Sequence, residues 1–350
     1  MSVFHYIGFD VHKKTVSFCV KLADGTIIEE GRIASRGQDL ERWAKSRNIP
    51  WHGAMEATIF SGWIYDTLKP YAASLQMGNP SMMKAISASK KKNDQLDARK
   101  IADLVRCNLL PACYVGPPEM RELRRMLRYR NKVVQHSVQA KTQMSGMLME
   151  VGVEYSKKKL HGKEYFTALL TELTEVPESV KDLLQMSRCE LEMFEATQRK
   201  ILNQLQKSRL LAQRVKLLQS IPGVGEVTSL TWALEIMEVQ RFSSIDDAVS
   251  YCGLTSALNS SAGKEQRGPL SKQRNPHLQH VLIEAAKLAP RWNRQLAEVH
   301  AKALQLGNRN RATLEVARKL IAYLMAVDRS GQPFQYRNPT PAQTEAKLVA

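Results

Sequence analysis

Residues 5–34 read HYIGFDVHKKTVSFCVKLADGTIIEEGRIA and hold three short segments that are rich in β-branched and aromatic residues. The segments cover 5–12, 15–22 and 27–34, and polar breaks separate them, the second of which contains Asp24-Gly25. Segments of this length with turn residues between them are typical of strands joined by tight turns. The stretch therefore predicts an antiparallel meander of three strands.

The chain that follows the meander alternates between helical and strand-like patterns. A helix is expected around 38–46, a strand at 53–57, a helix from about 60, a strand at 74–78, and helices at 80–87 and 94–106. A meander followed by such alternation is the order of an α/β domain with a ribonuclease-H-like (RuvC-like) fold. We assign this domain to residues 1–112.

The region after this domain is predicted to be mainly helical. The boundary is marked by Pro111, Gly116, Pro117 and Pro118, because these residues interrupt regular structure. Linker helices are expected over 118–215, and a loose heptad pattern in their second half predicts a coiled-coil hairpin or an oligomer seam. A mainly α C-terminal domain follows over 216–335, with a helix-hairpin-helix-like motif at 221–225, a long loop at 255–277 and a loose tail at 336–350.

The composition indicates a polyanionic partner. The 350 residues include 51 lysines and arginines against 34 acidic residues, a formal net charge of +17. Such an excess is unusual for an enzyme of small anionic metabolites and is typical of proteins that bind nucleic acid. No apolar run of about 18 residues is present and the N-terminus lacks the order of a signal peptide, which predicts a cytoplasmic protein without a membrane partner. Five scattered cysteines without a CxxC pair argue against a zinc finger or a disulfide framework.

Three groups of residues are candidates for contacts with nucleic acid. The first is a basic helix face, the second a run of lysines, and the third a glycine hairpin whose backbone N–H groups can approach a phosphate. The groups comprise Arg121, Arg124, Arg125, Arg128 and Lys132; Lys90, Lys91 and Lys92; and Gly223 and Gly225. A solvated helix surface and an ordinary helix–helix turn remain open as alternatives for the first and third groups.

Four carboxylates are candidate metal ligands. Asp10 ends the first strand and Glu56 lies on the fourth, and these two strands are neighbours in a ribonuclease-H-like sheet. Asp94 and Asp97 are three residues apart and therefore share one helix face, although such acids are also ordinary first-turn charges. Four converging carboxylates repel one another unless a cation lies between them, and hard oxygen ligands select Mg²⁺ or Mn²⁺. Two such ions, about 3.5–4 Å apart, can stabilise both the attacking and the leaving oxygen of a phosphodiester displacement.

The first strand and its turn also resemble the first phosphate loop of actin-like sugar kinases. The turn at 11–15, VHKKT, contains no glycine. A backbone cradle for ATP phosphates is not expected without one.

Three blocks of sequence together resemble a known family. They are YIGFDVHKKT; MEAT, NP and DQLDARKIADLV; and SIPGVG, YCGLTS, SSAGKEQRG and LSK, spread in this order over about 270 residues. The chain is similar in these blocks to the DEDD-type transposases of bacterial insertion sequences, the IS110 and IS1111 groups, to which pilin-gene invertases are related. The resemblance implies a RuvC-like nuclease domain, a coiled coil and a C-terminal transposase domain, and it assigns the acid tetrad to Asp10, Glu56, Asp94 and Asp97.

The resemblance further implies a catalytic serine, and Ser261 is the matching position. A serine ester conserves the energy of the cleaved phosphodiester for religation, and Lys264 and Arg267 are expected to neutralise the phosphate. Two departures bear on this assignment: Ala262 follows Ser261 where the family has glycine, and GLTSALN lacks the usual proline. Ser260 remains an alternative nucleophile, and Ser256 a weaker one.

The resemblance also implies partners. Members of the family are guided by a structured non-coding RNA, so an RNA partner is expected beside donor and target DNA. Several strand cuts require more than one set of acids, which predicts a homo-oligomer, a dimer or a tetramer. The predicted function is a site-specific DNA recombinase of the bacterial cytoplasm, associated with the nucleoid. The alternatives are a hydrolytic RuvC-like Holliday-junction nuclease and a non-catalytic nucleic-acid-binding scaffold.

Overall fold

The structure is a computed structural model that describes residues 4–86, 93–261 and 264–336. It divides into two compact units, Met1–Pro118 and Glu119–Ala350. Within the described residues, no helix combines the length and the apolarity that crossing a bilayer requires.

The described part of the N-terminal unit is built on a mixed six-stranded sheet of order β3-β2-β1-β4-β5-β6. The first three strands form the predicted antiparallel meander, β1 pairs in parallel with β4, and β4 pairs in parallel with β5. The strands are β1 His5–Val11, β2 Thr15–Lys21, β3 Ile27–Ala34, β4 Trp51–Glu56, β5 Ser74–Gly78 and β6 Ala112–Cys113. The helices are α1 Gly37–Lys45, α2 Ser61–Leu68, α3 Pro80–Ile86 and α4 Asp94–Arg106.

Side chains alternate across β1, so its two faces carry different layers. Ile7 and Phe9 are fully buried in a core that includes residues of α1 and α2. Gly8 points to the opposite face, where a Cβ atom would lie 2.1 Å from the Ala98 carbonyl oxygen and 2.4 Å from the Ala102 amide nitrogen. Helix α4 therefore lies directly on the main chain of β1, with only small residues between them.

The described part of the C-terminal unit is mostly helical. Its helices are α5 Pro118–Glu150, α6 Lys163–Glu172, α7 Glu178–Gln206, α8 Arg209–Leu218, α9 Glu226–Ile236, α10 Ile245–Tyr251, α11 Pro276–Leu288, α12 Arg294–Gln305 and α13 Arg309–Ser330. An antiparallel hairpin of β7 Ser256–Ser261 and β8 Lys264–Leu270 follows α10.

The prediction of a long loop over 255–277 is wrong, because β7 and β8 occupy most of it. Ser256 pairs with Leu270 and Ser261 with Lys264. The hairpin sequence is mainly polar, with serine, asparagine, lysine, glutamate, glutamine and arginine, so it lacks the alternation of apolar and polar residues that marks a half-buried strand. Its strands form by pairing with each other, which a polar sequence does not reveal.

Helices α5 and α7 lie side by side in antiparallel orientation. Near the start of α5, Leu127 shares a core with Ile201 and Leu205 from the end of α7. Farther along, the rings of His136 and Phe194 are 5.7 Å apart. At the far end, a separate cluster contains Met144, Leu148, Leu184 and Leu191. The two helices thus form a pair, while a regular coiled-coil seam stays a prediction.

One core spans the expected boundary at 215/216. The cluster that contains Leu127 and Leu205 also contains Leu218, Trp232 and Leu320. The first half of α5 and the last turns of α7 therefore pack as part of the C-terminal core.

Candidate functional site

The sheet register places the first two predicted acids next to each other. Strands β1 and β4 are parallel with Phe9 opposite Met55, so Asp10 and Glu56 are the next residues along adjacent strands. Because side chains alternate along a strand, Asp10 shares a face with Gly8 and Glu56 shares a face with Ala54. Gly8 lies under α4, and Ala54 packs in a cluster with Ile101 of α4. Both acids therefore lie on the face that α4 covers.

Helix α4 brings the other two acids to the same face. The helix begins at Asp94, since the Asn93 side chain accepts a hydrogen bond from the Gln95 N–H at 3.1 Å and so caps the N-terminus. Asp94 and Asp97 both lie in the first turn, three residues apart on one side of the helix.

The structure draws Asp10 and Asp94 together around His12. The His12 Nε2 atom lies 3.0 Å from Asp10 Oδ2 and 3.6 Å from Asp94 Oδ1. Each of the three side chains offers one ligand atom, and these atoms lie within 4.8 Å of one another. This group could hold a metal ion. Within the described chain, Glu56 and Asp97 are not part of this closest group.

His12 is a functional candidate that the sequence analysis missed. It stands two residues after Asp10, in the turn between β1 and β2. A histidine next to a strand-end aspartate is the signal that could have identified it, because imidazole and carboxylate are common joint ligands.

The electrostatics of Asp10 favour a cation. Burial raises the pKa of Asp10, the nearby charges of Asp94 and Asp97 raise it further, and His12 lowers it. A raised carboxyl pKa means that the negative charge is disfavoured where it stands, which an added positive charge would relieve. Two carboxylates and one imidazole fit a divalent cation, and the nitrogen suits Mn²⁺ at least as well as Mg²⁺.

Two ion pairs between α4 and the sheet fix the rotation of the helix. Arg99 donates two hydrogen bonds to the Glu30 carboxylate, at 2.5 and 2.6 Å. The Lys21 ammonium, which is almost fully buried, lies 2.5 Å from Asp103 Oδ2. Together with the close packing of α4 on Gly8, these pairs hold Asp94 near Asp10.

The predicted serine lies at the end of a strand in the other unit. Ser261 is the last residue of β7 and Lys264 the first of β8, with Arg267 opposite Leu258 in the register. The side chains of Ser260, Ser261, Lys264 and Arg267 lie outside the described part of the structure. Lys90, Lys91 and Lys92 lie outside it altogether.

The predicted basic face on α5 is divided between internal and exposed residues. Arg128 donates two hydrogen bonds of 2.7 Å to the fully buried Glu235 of α9. Burial opposes the charge of Glu235, but Arg128 outweighs it and holds the pKa of that carboxyl below its usual range. Burial lowers the pKa of Arg124, and the neighbouring Arg128 lowers it further. Arg125 and Lys132 are exposed, and Arg128 keeps 44% of its side chain exposed beside its partner, so these three residues are open to a polyanion.

The two glycines of the hairpin at 221–225 have different roles in the fold. Gly223 has a φ of +96°, and a Cβ atom there would lie 2.7 Å from the Ala289 Cα atom. It is therefore required by the packing of the unit itself. Gly225 precedes α9 and has open space where a Cβ would be, so it is the glycine that a phosphate could approach.

Comparison with known proteins finds the same family at both ends of the chain. Residues 7–152 match a DEDD transposase model of the IS110 group, and residues 215–301 match the model of the transposase IS116/IS110/IS902 family. A probable family 20 transposase of Pseudomonas aeruginosa is 22% identical over 257 residues, which cover 72% of this chain and 75% of the relative. The transposase for insertion sequence element IS1111A of Coxiella burnetii is 25% identical over 285 residues, covering 80% and 76%. The transposase for insertion sequence element IS1328 of Yersinia enterocolitica is 24% identical over 250 residues, covering 67% and 70%.

Proposed function

The chain belongs to the IS110 family of DEDD-type insertion-sequence transposases, enzymes that cleave and rejoin DNA, and from this premise we propose that it is an RNA-guided, site-specific recombinase that works through a serine ester. The observation that carries the proposal is the group of Asp10, His12 and Asp94 on the α4 face of the sheet. Asp97 raises the pKa of Asp10, which makes it a nearby part of the same negative cluster.

Asp10, Glu56, Asp94 and Asp97 are the proposed metal-holding residues, with His12 added to them. A bound Mg²⁺ or Mn²⁺ would supply positive charge to the scissile phosphate and lower the cost of deprotonating a hydroxyl. Burial and mutual repulsion already disfavour the charge of Asp10, so this chain's own contribution is to hold carboxylates where a cation is needed.

Ser261 is the proposed nucleophile. Its hydroxyl oxygen attacks phosphorus, a bond forms between phosphorus and serine, and the bond to the 3′ oxygen of the cleaved strand breaks. The serine proton leaves with the 3′ hydroxyl, and the 5′ end stays on the protein. Another 3′ hydroxyl then displaces the serine, which regains its proton. Lys264 and Arg267 are proposed to neutralise the phosphate, with Ser260 as the alternative nucleophile.

The proposed partners are donor and target DNA, a structured non-coding RNA and further copies of the chain. The net charge of +17 suits backbone contacts with both nucleic acids. The proposed contacts within the described chain are Arg125, Arg128 and Lys132, which are exposed, and the hairpin at Gly225. The proposed oligomer is a dimer or tetramer, and the proposed place of work is the bacterial cytoplasm at the nucleoid.

The metal group is tested with Asp94→Asn in the full chain. Cleavage of element-end DNA in Mg²⁺ or Mn²⁺ should fall by about a thousand-fold or more, since charge stabilisation at phosphorus depends on the ion. Glu41→Gln is the matched control, because Glu41 is an exposed acid on α1 whose partner is Lys45 one turn away. Full strand exchange by Asp94→Asn would favour the scaffold alternative over any enzyme.

The serine is tested by trapping. Denaturing gels of a reaction on end-labelled DNA should show protein joined to a 5′ end, and Ser261→Ala should abolish this adduct. Ser260→Ala is the control and should retain it. An adduct that survives in Ser261→Ala but disappears in Ser260→Ala would move the nucleophile, and cleavage without adduct in the wild type would establish the hydrolytic alternative.

A further inference from the structure

We infer that a groove of the C-terminal unit, lined by α5, the start of α9 and α11, binds unpaired nucleotides. The groove has a volume of about 1100 Å³, just above the range of about 300–1,000 Å³ that is usual for sites that bury a whole drug-sized ligand. It therefore has room for more than one nucleotide. The inference deepens the proposed function and rests on it, since it assumes that the chain handles nucleic acid.

The walls of the groove combine apolar surface with amide groups. Its apolar surface includes Val138 and Leu288, which are 57% and 45% exposed. The α5 wall adds three amide side chains, those of Asn131, Gln135 and Gln139. Amides present hydrogen-bond donors and acceptors side by side, which is what the edges of unpaired bases require. A partner protein that presented only aliphatic side chains would cover Val138 and Leu288. It would leave the three amide side chains without hydrogen-bond partners.

Trp292 supplies a stacking surface at the groove. It is 59% exposed, whereas Trp51 and Trp232 are buried in the cores of their units. A large exposed aromatic ring beside an apolar groove is the feature on which single-stranded nucleic acids stack their bases.

Arg130 adds a donor that the protein itself leaves unused. Its Nε atom is buried without a hydrogen-bond partner, while its Nη1 donates to the Asn131 Oδ1 at 3.2 Å. The Nε atom is closed to solvent, so the groove offers a ligand the remaining N–H groups of the guanidinium. His277 and His280 line the groove as further polar groups, and Glu284 is the acidic residue among the described lining residues. With one arginine against one glutamate the charges of the lining balance, so the preference for unpaired nucleotides rests on Trp292 and the amide side chains.

The groove also discriminates by shape. In a duplex the bases are stacked and paired, so only their groove edges are accessible and Trp292 has no ring to stack on. Unpaired bases expose both a flat face and a hydrogen-bonding edge. We therefore expect the groove to bind single-stranded segments and to contribute nothing to the binding of a blunt duplex.

The test uses the full chain and single-stranded oligonucleotides that carry 2-aminopurine. Binding should change the fluorescence of the probe through stacking, and Trp292→Ala should weaken single-strand binding about ten-fold, the loss typical of one stacked base. Trp292→Phe should retain most of the affinity. The matched control is Trp63→Ala, because Trp63 is 42% exposed but belongs to the N-terminal unit. A blunt duplex of the same sequence should bind all four proteins equally.

A charge-matched pair gives a second readout. Arg130→Gln should weaken single-strand binding, whereas Arg199→Gln, on the exposed surface of α7, should alter single-strand and duplex binding to the same small extent. Parallel DNA and RNA probes with a photoreactive thio-base show which nucleic acid enters the groove, through crosslinks to peptides of α11.

Three outcomes would overturn the inference. One is equal affinity of the wild type and Trp292→Ala for single strands; another is an equal loss for single strands and duplex. The third is a change in oligomeric mass, without loss of strand binding, in Trp292→Ala, which would make the groove an interface between copies. A wild type that binds through Trp292 but cleaves no DNA would refute the proposed function and leave the groove intact.

Discussion

The acid group of the N-terminal unit and the Arg128–Glu235 pair of the C-terminal unit are held in place by different means. Asp10 and Glu56 are positioned by main-chain register, and Asp94 by the first turn of a helix that packs on main chain and is fixed in rotation by the Arg99–Glu30 and Lys21–Asp103 pairs. Arg128 and Glu235 are 107 residues apart and are joined only through their side chains. Positions that the backbone sets survive side-chain replacement, so the acids can be exchanged with little effect on folding. A pair that is held only through its side chains cannot lose one member without destabilising the packing of the helices it joins.

The largest effect on stability is expected from breaking the Arg128–Glu235 pair. Arg128→Ala leaves the fully buried Glu235 without its main partner, which should lower the free energy of unfolding by about 3–5 kcal/mol. Lys45→Ala, which removes an exposed i,i+4 pair with Glu41, should cost about 0.5 kcal/mol or less. Urea unfolding followed by circular dichroism measures both.

The double variant Arg128→Met/Glu235→Leu sharpens this result. It removes both charges together and should recover most of the stability lost in Arg128→Ala. If Arg128→Ala were no more costly than Lys45→Ala, the C-terminal helices would not depend on this pair, and the contrast between the two units would fail.

An intermediate effect is expected from Gly8→Ala. The new Cβ would collide with main-chain atoms of Ala98 and Ala102, so α4 must move, which should cost about 2–3 kcal/mol and reduce cleavage as Asp94 moves away from Asp10. Gly37→Ala, at the first position of α1 with open space around it, should be neutral or slightly stabilising. Urea unfolding and a cleavage assay on the same samples measure both effects. If Gly8→Ala were as stable and as active as the wild type, the position of α4 would not depend on its close packing against Gly8.

The smallest effect on stability is expected from Asp10→Asn. Because burial raises the pKa of Asp10, its charge opposes folding at neutral pH, and this penalty disappears as the pH falls through the folded pKa. Without added metal, Asp10→Asn should therefore be as stable as the wild type at pH 7, or up to about 1 kcal/mol more stable, while cleavage is lost. Thermal melting at pH 7 and pH 4 checks the sign of this stability difference, because the difference between Asp10→Asn and the wild type should be smaller at pH 4. A clear loss of stability at pH 7 would mean that Asp10 supports the fold.

The N-terminal fold could be predicted from the sequence because the features that mark its strands are local. The strands predicted at 15–22 and 27–34 are found at Thr15–Lys21 and Ile27–Ala34, since turn residues and β-branched runs mark them directly. The neighbourhood of Asp10 and Glu56 followed from the order of the strands. His12 was missed because its place beside Asp94 depends on where α4 lies, and sequence spacing does not give that.

Less of the C-terminal unit could be predicted from the sequence, because its contacts join residues that are far apart in the chain. The basic spacing on α5 gives no sign that Arg128 is paired with Glu235, which lies in the mainly apolar helix α9. Likewise, Gly223 and Gly225 look equivalent in the sequence, but only Gly223 has a positive φ and a close neighbour, Ala289. Whether a charged or flexible residue serves the fold or a ligand depends on partners that are far away in the chain.

The close packing of α4 against Gly8 limits which metal ions the carboxylates can bind. With main-chain atoms in direct apposition, the helix cannot slide or roll to widen the gap between Asp10 and Asp94, and only their side-chain torsions can adjust. A cage of nearly fixed size suits a small ion that binds oxygen at about 2.0–2.1 Å, and it suits Ca²⁺ poorly, whose bonds are about 2.3–2.6 Å and whose ligands are more numerous. Calcium should therefore bind to the carboxylates without supporting strand cleavage. Replacing Mg²⁺ with this larger ion should then trap the complex with uncut DNA.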